Sequence, residues 1–191
     1  MMKVCLASVI AATMLLASDR ECQSDRDKIV GCVEKEYYEN GRLMGKAPYK
    51  NGKQNGVEKW YYENGKLMSE TPYKDNKANG VDKMYYENYE NGRLMRERPY
   101  KNDKQNGVEK MYYENGRLMG EARYKNGKRN GVEKSYYSSS EPFADVIWNN
   151  GEITRRNATM AAYPQAHSFI TLASQMTLAT YAGKLHTRFF A

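Results

Sequence analysis

Aromatic, apolar and polar residues recur along the middle of the chain in a fixed order. Tyrosine pairs stand at 37/38, 61/62, 85/86, 112/113 and 136/137, an interval of 24 residues interrupted once by one of 27. Each period holds two phrases, exemplified by YKNGKQNGVEK (49–59) and YYENGKLM (61–68), in which β-prone residues flank a short polar dipeptide. A period of this length marks a repeat array whose units bury surface against their neighbours. Asn-Gly between such flanks predicts a two-residue type I′ hairpin turn, because both central positions need positive φ. KDNK at 74–77 and KNDK at 101–104 lose the glycine but keep Asn and Asp, the next most tolerant residues at such positions. Each period therefore supplies two antiparallel strands. The expected fold is all-β, an elongated antiparallel meander of tandem β-hairpin repeats with about nine strands.

Register follows from the turns. With Asn64-Gly65 at the tip, Tyr62 falls opposite Leu67, Tyr61 opposite Met68, Trp60 opposite Ser69 and Lys59 opposite Glu70, and opposed residues share a face. The alternation places Leu43, Tyr49, Trp60, Tyr62, Leu67, Tyr73, Met84 and Tyr86 on one aromatic face. The other receives Lys50, Lys53, Val57, Lys59, Tyr61, Met68, Glu70 and Lys74, and is basic with tyrosines interleaved. One copy, YYENYENGRLM at 85–95, doubles the triplet Tyr-Glu-Asn. A tight hairpin on Asn91-Gly92 would set Tyr86 opposite Glu97 and exchange the faces of every later strand. A protruding loop from Glu87 to Arg93, with Tyr86 still opposite Leu94, keeps the phase at little cost in closure entropy.

The ends differ from the middle. WNNGE at 148–152 lies one period beyond YKNGK at 124–128, so the array extends over 33–153, with SSSEPFADVI as a degenerate strand pair. Beyond it, residues 154–191 form a divergent tail. Apolar residues at 169, 170, 172, 173, 176 and 179 give a helical stripe, and the tail reads either as a helical cap or as a poorly ordered end. At the other end Lys3 precedes the apolar run from Val4 to Ala17 and then a charged stretch, the order of an export signal. The run is shorter than the roughly 20 residues of a membrane span. We assign 1–18 to a signal peptide helix and 19–32 to a leader segment. Cleavage removes Cys5 and leaves Cys22 and Cys32, which either bridge in an oxidising compartment or remain free thiols.

Composition narrows the function. Charged residues make up 28% of the chain and the mean hydropathy is −0.89, too polar for a thick globular core. The net charge is +7, and residues 37 to 135 hold 21 Lys/Arg against 14 Asp/Glu, so the basic character belongs to the repeats. Lys53, Lys59, Tyr61, Lys77, Lys83, Tyr85, Lys104, Lys110, Tyr112, Lys128 and Lys134 form the candidate partner-binding face, on which Lys steers an acidic partner and Tyr offers rigid contact area. Solvation of a thin sheet is the plainer reading of the same face. The histidines, His167 and His186, both lie in the tail, so the repeats have no Cys/His metal site and no His acid-base centre. Phosphate-binding, nucleophile-elbow and HExxH motifs are absent from the sequence. Glu63, Glu87 and Glu114 recur before turns opposite Lys66 or Arg117 and read as charge pairs.

The phrases YYENGRLM, YYENGKLM, YKNGKQNGVEKWYYENG and YKNGKRNGVEK resemble those of the bacterial MORN-repeat variant family, the group labelled YwqK-type antitoxin. The resemblance implies a β array that serves as a non-catalytic interaction surface, without cofactor or catalytic residues, and its label implies neutralisation of a cognate toxin. The expected function is an exported scaffold, in the periplasm, cell envelope or outside the cell, that binds a protein partner in an antitoxin-like or immunity-like role. The alternative is an envelope module that takes anionic lipid or polymer on the Lys/Tyr face. Tyrosines can stack on bases, but export argues against nucleic acid, and no small-molecule substrate is expected.

Overall fold

In the computed structural model the described residues are 20–87 and 92–156. The expected signal peptide, the tip of the enlarged loop at 88–91 and the expected C-terminal helix lie outside them. The elements are a six-residue helix α1 (Asp25–Val30) and strands β1 (Cys32–Tyr37), β2 (Leu43–Lys50), β3 (Lys53–Gln54), β4 (Gly56–Tyr61), β5 (Leu67–Lys74), β6 (Lys77–Ala78), β7 (Gly80–Tyr85), β8 (Leu94–Lys101), β9 (Lys104–Gln105), β10 (Gly107–Tyr112), β11 (Leu118–Lys125), β12 (Lys128–Tyr136), β13 (Pro142–Asn149) and β14 (Glu152–Arg156). The chain divides into two compact units, Met1–Gly107 and Val108–Ala191. In the first, β1, β2, β4, β5, β7 and β8 neighbour one another in that order in an open antiparallel sheet, with β3, β6 and β9 as short partners of β2, β5 and β8. In the second, β10 to β14 follow in chain order.

The KNGK turns are the expected two-residue type. Lys50 pairs with Lys53 across Asn51-Gly52, whose φ values are 53° and 72°. Asp75-Asn76 and Asn102-Asp103 adopt the same positive φ, and their side chains do more than tolerate it. Asn76 Oδ1 accepts from the Gln54 amide at 2.6 Å and Asp103 Oδ1 from the Ala78 amide at 2.7 Å. The amides of Asn76 and Asp103 donate back to the carbonyls of Gln54 and Ala78, each at 3.0 Å. The glycine-free turns are thus tied on both groups to the short strand one repeat earlier.

The YENG turns differ from expectation. The Tyr62 amide donates to Lys66 O and the Gly65 amide to Tyr62 O, both at 2.8 Å, so the loop is the three residues Glu63-Asn64-Gly65. Only Gly65 has positive φ, at 84°, which is a type I turn followed by a left-handed residue rather than type I′. The odd loop shifts the register by one, and a bulge between Trp60 and Tyr61 shifts it back. Tyr61 rather than Tyr62 therefore faces Leu67 and Met68 is the unpaired residue, whereas Trp60↔Ser69 and Lys59↔Glu70 stand as expected. The doubled triplet obeys the same rule. Tyr86 closes on Arg93 and Tyr85, not Tyr86, meets Leu94, while Lys83↔Glu97 preserves the phase.

Fourteen strands occur among the described residues, more than the nine expected, partly because β3–β4, β6–β7 and β9–β10 are each one bulged strand. Gly56, Gly80 and Gly107 have φ between 129° and 139° and stand against Pro48, Pro72 and Pro99; an added Cβ at Gly56 would lie 2.7 Å from Pro48 Cγ. Proline has no N–H for the ladder. The next repeat carries Arg123 at that position, and there β12 runs unbroken. Adjacent repeats are also tied at the opposite tips, where Tyr38 Oη donates to Tyr61 O at 2.6 Å and Tyr113 Oη to Tyr136 O at 2.7 Å. At the N-terminal end Cys22 and Cys32 are joined by a disulfide, and Glu21 bridges to Val33. Lys28 of α1 lies 4.6 Å above the Tyr49 ring and donates to Glu34 at 2.9 Å.

A candidate partner-binding face

Register aligns one charged residue from each strand into a row running across the first unit. The Cα partners are Lys35↔Lys46, Lys46↔Lys59, Lys59↔Glu70, Glu70↔Lys83 and Lys83↔Glu97. Paired residues share a face, about 4.8 Å apart from strand to strand. Glu70 is the node of the row. Its carboxylate accepts the Tyr85 hydroxyl at 3.0 Å and lies 3.5 Å from Lys83 Nζ and 3.8 Å from Lys59 Nζ, with 21% of its side chain exposed. Burial, and after it the bond to Glu70, pushes the Tyr85 hydroxyl up to about 12. In the second unit Glu121, Lys134 and Asp145 form a corresponding row, and Tyr136 bonds to Glu121.

The candidate residues therefore separate into groups. Lys59, Lys83 and Tyr85 meet around Glu70. Tyr61 sits at the same register position one repeat earlier, and Lys110, Tyr112 and Lys134 belong to the second unit. Lys53, Lys77, Lys104 and Lys128 are exposed at the type I′ turns. Lys53 lies along its strand from Lys59 by roughly 20 Å, so the turn lysines are a separate line. The row is not uniformly basic, because a carboxylate follows each lysine from Lys59 onwards within the first unit.

The opposite face carries groups that an apolar reading overlooked. Glu34, Glu58, Asp82, Glu109 and Glu133, one per repeat, alternate onto the aromatic side, where Asp82, Glu109 and Glu133 are buried and Glu34 stays 43% exposed at the end of the array. Glu133 is 2% exposed and accepts from Trp148 Nε1 at 2.7 Å and from Arg129 Nη1 at 3.1 Å. Asp82 accepts from Thr71 Oγ1 at 2.8 Å and pairs with Arg98 at 3.0 Å. Tyr124 bonds to Glu109 and Tyr49 to Glu34. Burial raises the Glu58 carboxyl above the usual carboxylate range, against the hydrogen bonds from Trp60 and Gln54 that lower it. Glu34, Glu58, Glu109 and Glu133 each bond an aromatic side chain, and their signal was present in the sequence: Glu58 lies between two lysine-face residues, Val57 and Lys59, on the alternation that sends Trp60 inward.

Among the described residues no group of three His, Cys, Asp or Glu side chains is placed to hold a metal ion, and no helix is long and apolar enough to cross a membrane.

Four stretches, residues 33–51, 54–75, 79–102 and 105–126, match the family described as MORN repeat variant. No curated protein matches the chain. Among solved structures, the crystal structure of accessory secretory protein 1,2 and 3 in Streptococcus pneumoniae is 12% identical over 62% of this chain, with a TM-score of 0.19. The matched region spans 17% of that chain's length. The consecutive family matches coincide with the hairpin pairs described above, and residues 33–126 accordingly form a MORN-repeat domain, a non-catalytic scaffold of tandem β-hairpin repeats.

Proposed function

We propose that the chain is an exported scaffold that binds a protein partner in an antitoxin-like or immunity-like role. The observation that carries this reading is the row Lys59, Glu70, Lys83, Glu97, in which alternating charge and an aligned Tyr85 lie on one half-exposed face. Alternating sign favours a partner of complementary pattern and disfavours all others, which is how charge contributes specificity. The exposed turn lysines add long-range steering. Export is supported by the leader pattern and by the Cys22–Cys32 bridge, since disulfides persist in oxidising compartments. The antitoxin-like role rests on the resemblance of the repeat phrases.

The alternative, an envelope module for anionic lipid or polymer, draws on Lys35, Lys46 and Lys59, which are consecutive in the row. The carboxylates beyond them work against a broad anionic surface. To separate the two, the full chain is immobilised, envelope extract is passed over it at low and high salt, and any captured protein is purified and bound again. A stoichiometric complex that survives high salt is expected. Loss of all protein at high salt, together with salt-sensitive binding to acidic vesicles, favours the alternative, because screening acts over about 10 Å at 0.1 M. Binding to neither overturns both.

A further inference from the structure

We propose that Lys35, Lys46, Lys59 and Tyr61 form a docking site for a carboxylate of an acidic protein segment, an inference that deepens the protein-partner reading and rests on it. In the next repeat the centre of the row is a carboxylate: Glu70 accepts the Tyr85 hydroxyl and lies between the ammonium groups of Lys59 and Lys83. Glu121 stands in the same relation to Tyr136 and Lys134. One period before Glu70 the same position holds Lys46, directly opposite Lys35 on one side and Lys59 on the other. Tyr61 is related to Lys46 as Tyr85 is to Glu70. Among the described residues neither Lys46 nor the Tyr61 hydroxyl has a hydrogen-bond or ion-pair partner. The first repeat keeps the donors and lacks the acceptor.

Like charges directly opposite destabilise a sheet, so three lysines in succession are an energetic cost that folding alone does not explain. The acids that bound them lie at the outer ends. Glu21, held by the adjacent Cys22–Cys32 bridge, is 3.8 Å from Lys35 and accepts from Tyr37, and Glu70 is 3.8 Å from Lys59. Between them runs a positive stretch about 10 Å long. Its occupant is indicated by what fills the equivalent position elsewhere, namely Glu70, Glu97, Glu121 and Asp145, each a carboxylate at strand spacing from a lysine. A membrane surface attracts a broad field of one sign, which the return to alternation at Glu70 denies. An acidic side chain on an extended protein segment has the charge and the size.

The test titrates the full chain, with isotope-labelled lysine and tyrosine, against an acetylated peptide of alternating Glu and Gly, and separately against inorganic phosphate and phosphatidylglycerol vesicles. Saturable shifts confined to Lys35, Lys46, Lys59 and Tyr61 are expected with the peptide, weakened about tenfold or more in Lys46→Glu and unchanged in Lys125→Glu. Lys46→Glu installs the acceptor that the later repeats possess, so it folds and raises the thermal midpoint by about 1–4 °C. Shifts spread over all lysines, undiminished binding in Lys46→Glu, an unraised midpoint, or a stronger response to phosphate or vesicles each overturns the site. A captured natural partner that binds Lys46→Glu as well as the unaltered chain leaves the scaffold reading standing and removes this site. If no natural partner is captured while the peptide saturates at Lys46, the site stands and the scaffold reading fails.

Discussion

Tyr62 donates its phenolic hydrogen to the backbone carbonyl of Tyr85, one repeat further on, at 2.7 Å. The first tyrosine of a pair lies beside the charged row, and at Tyr38, Tyr62 and Tyr113 the second ties its repeat to the next. Tyr62→Phe keeps the ring and removes only the donor. A loss of about 1 kcal/mol in urea unfolding is expected, the usual net worth of such a bond, and an unchanged midpoint would show that the tether contributes nothing.

Alkaline pH tests the same hydroxyls. Burial raises Tyr62 and Tyr85 to about 12, against about 10 in an unfolded chain. A raised folded value means that the stabilisation is fully present below pH of about 10 and is lost as pH climbs towards 12. A tyrosinate titration should therefore show a late-ionising class whose appearance coincides with loss of the β signal. A single phase near 10 in the folded protein would contradict this.

Asp103 and Ser140 make a pair of opposite sign. Both hold positive φ, 65° and 79°. Asp103 also accepts from the Ala78 amide, a charge-assisted bond worth about 1.5–3 kcal/mol, which exceeds the roughly 1 kcal/mol that glycine would recover by relieving the backbone. Asp103→Gly should lose about 1 kcal/mol and speed hydrogen exchange at Ala78. Ser140 is exposed and closes the turn through its amide to Tyr137 O at 2.8 Å. Ser140→Gly should gain about 0.5 kcal/mol, the left-handed relief less the extra chain entropy of glycine. Thermal denaturation of the two variants side by side checks the contrast.

The Cys22–Cys32 bridge has a sequence separation of 10 and holds the segment bearing Glu21 beside β1. Closing a loop of that length is worth about 2–3 kcal/mol in the chain-entropy account. A reductant should lower the thermal midpoint of the unaltered protein and leave a Cys22→Ser, Cys32→Ser variant, already lowered, where it is. Equal midpoints for all three would show that the bridge does not support the fold.

Much of this was legible along the chain. The KNGK turns, the midstrand pairs Lys59↔Glu70 and Trp60↔Ser69, and the phase after the doubled triplet follow from local turn chemistry and from the strict alternation of strand faces. The YENG tips did not follow. Asn-Gly serves both a two-residue turn and the end of a three-residue one, and only the ladder bonds closing at Tyr62 and Lys66 choose between them. The inward carboxylates were obscured because Glu looks like a surface residue until the folded strands bring its donors to it, from nearby in the chain as with Gln54 for Glu58 or from the next strand as with Trp148 for Glu133.

By itself, then, the order of residues determined the repeat period, where the chain reverses and which residues alternate, because those depend on contacts a few positions apart. The tertiary structure decided what lies beside each strand: the acceptor for Tyr62, the Trp148 donor for Glu133, and the lysine standing where Lys35 and Lys59 would meet a glutamate. These are relations between neighbouring strands and repeats, and they exist only once the hairpins are laid side by side in register.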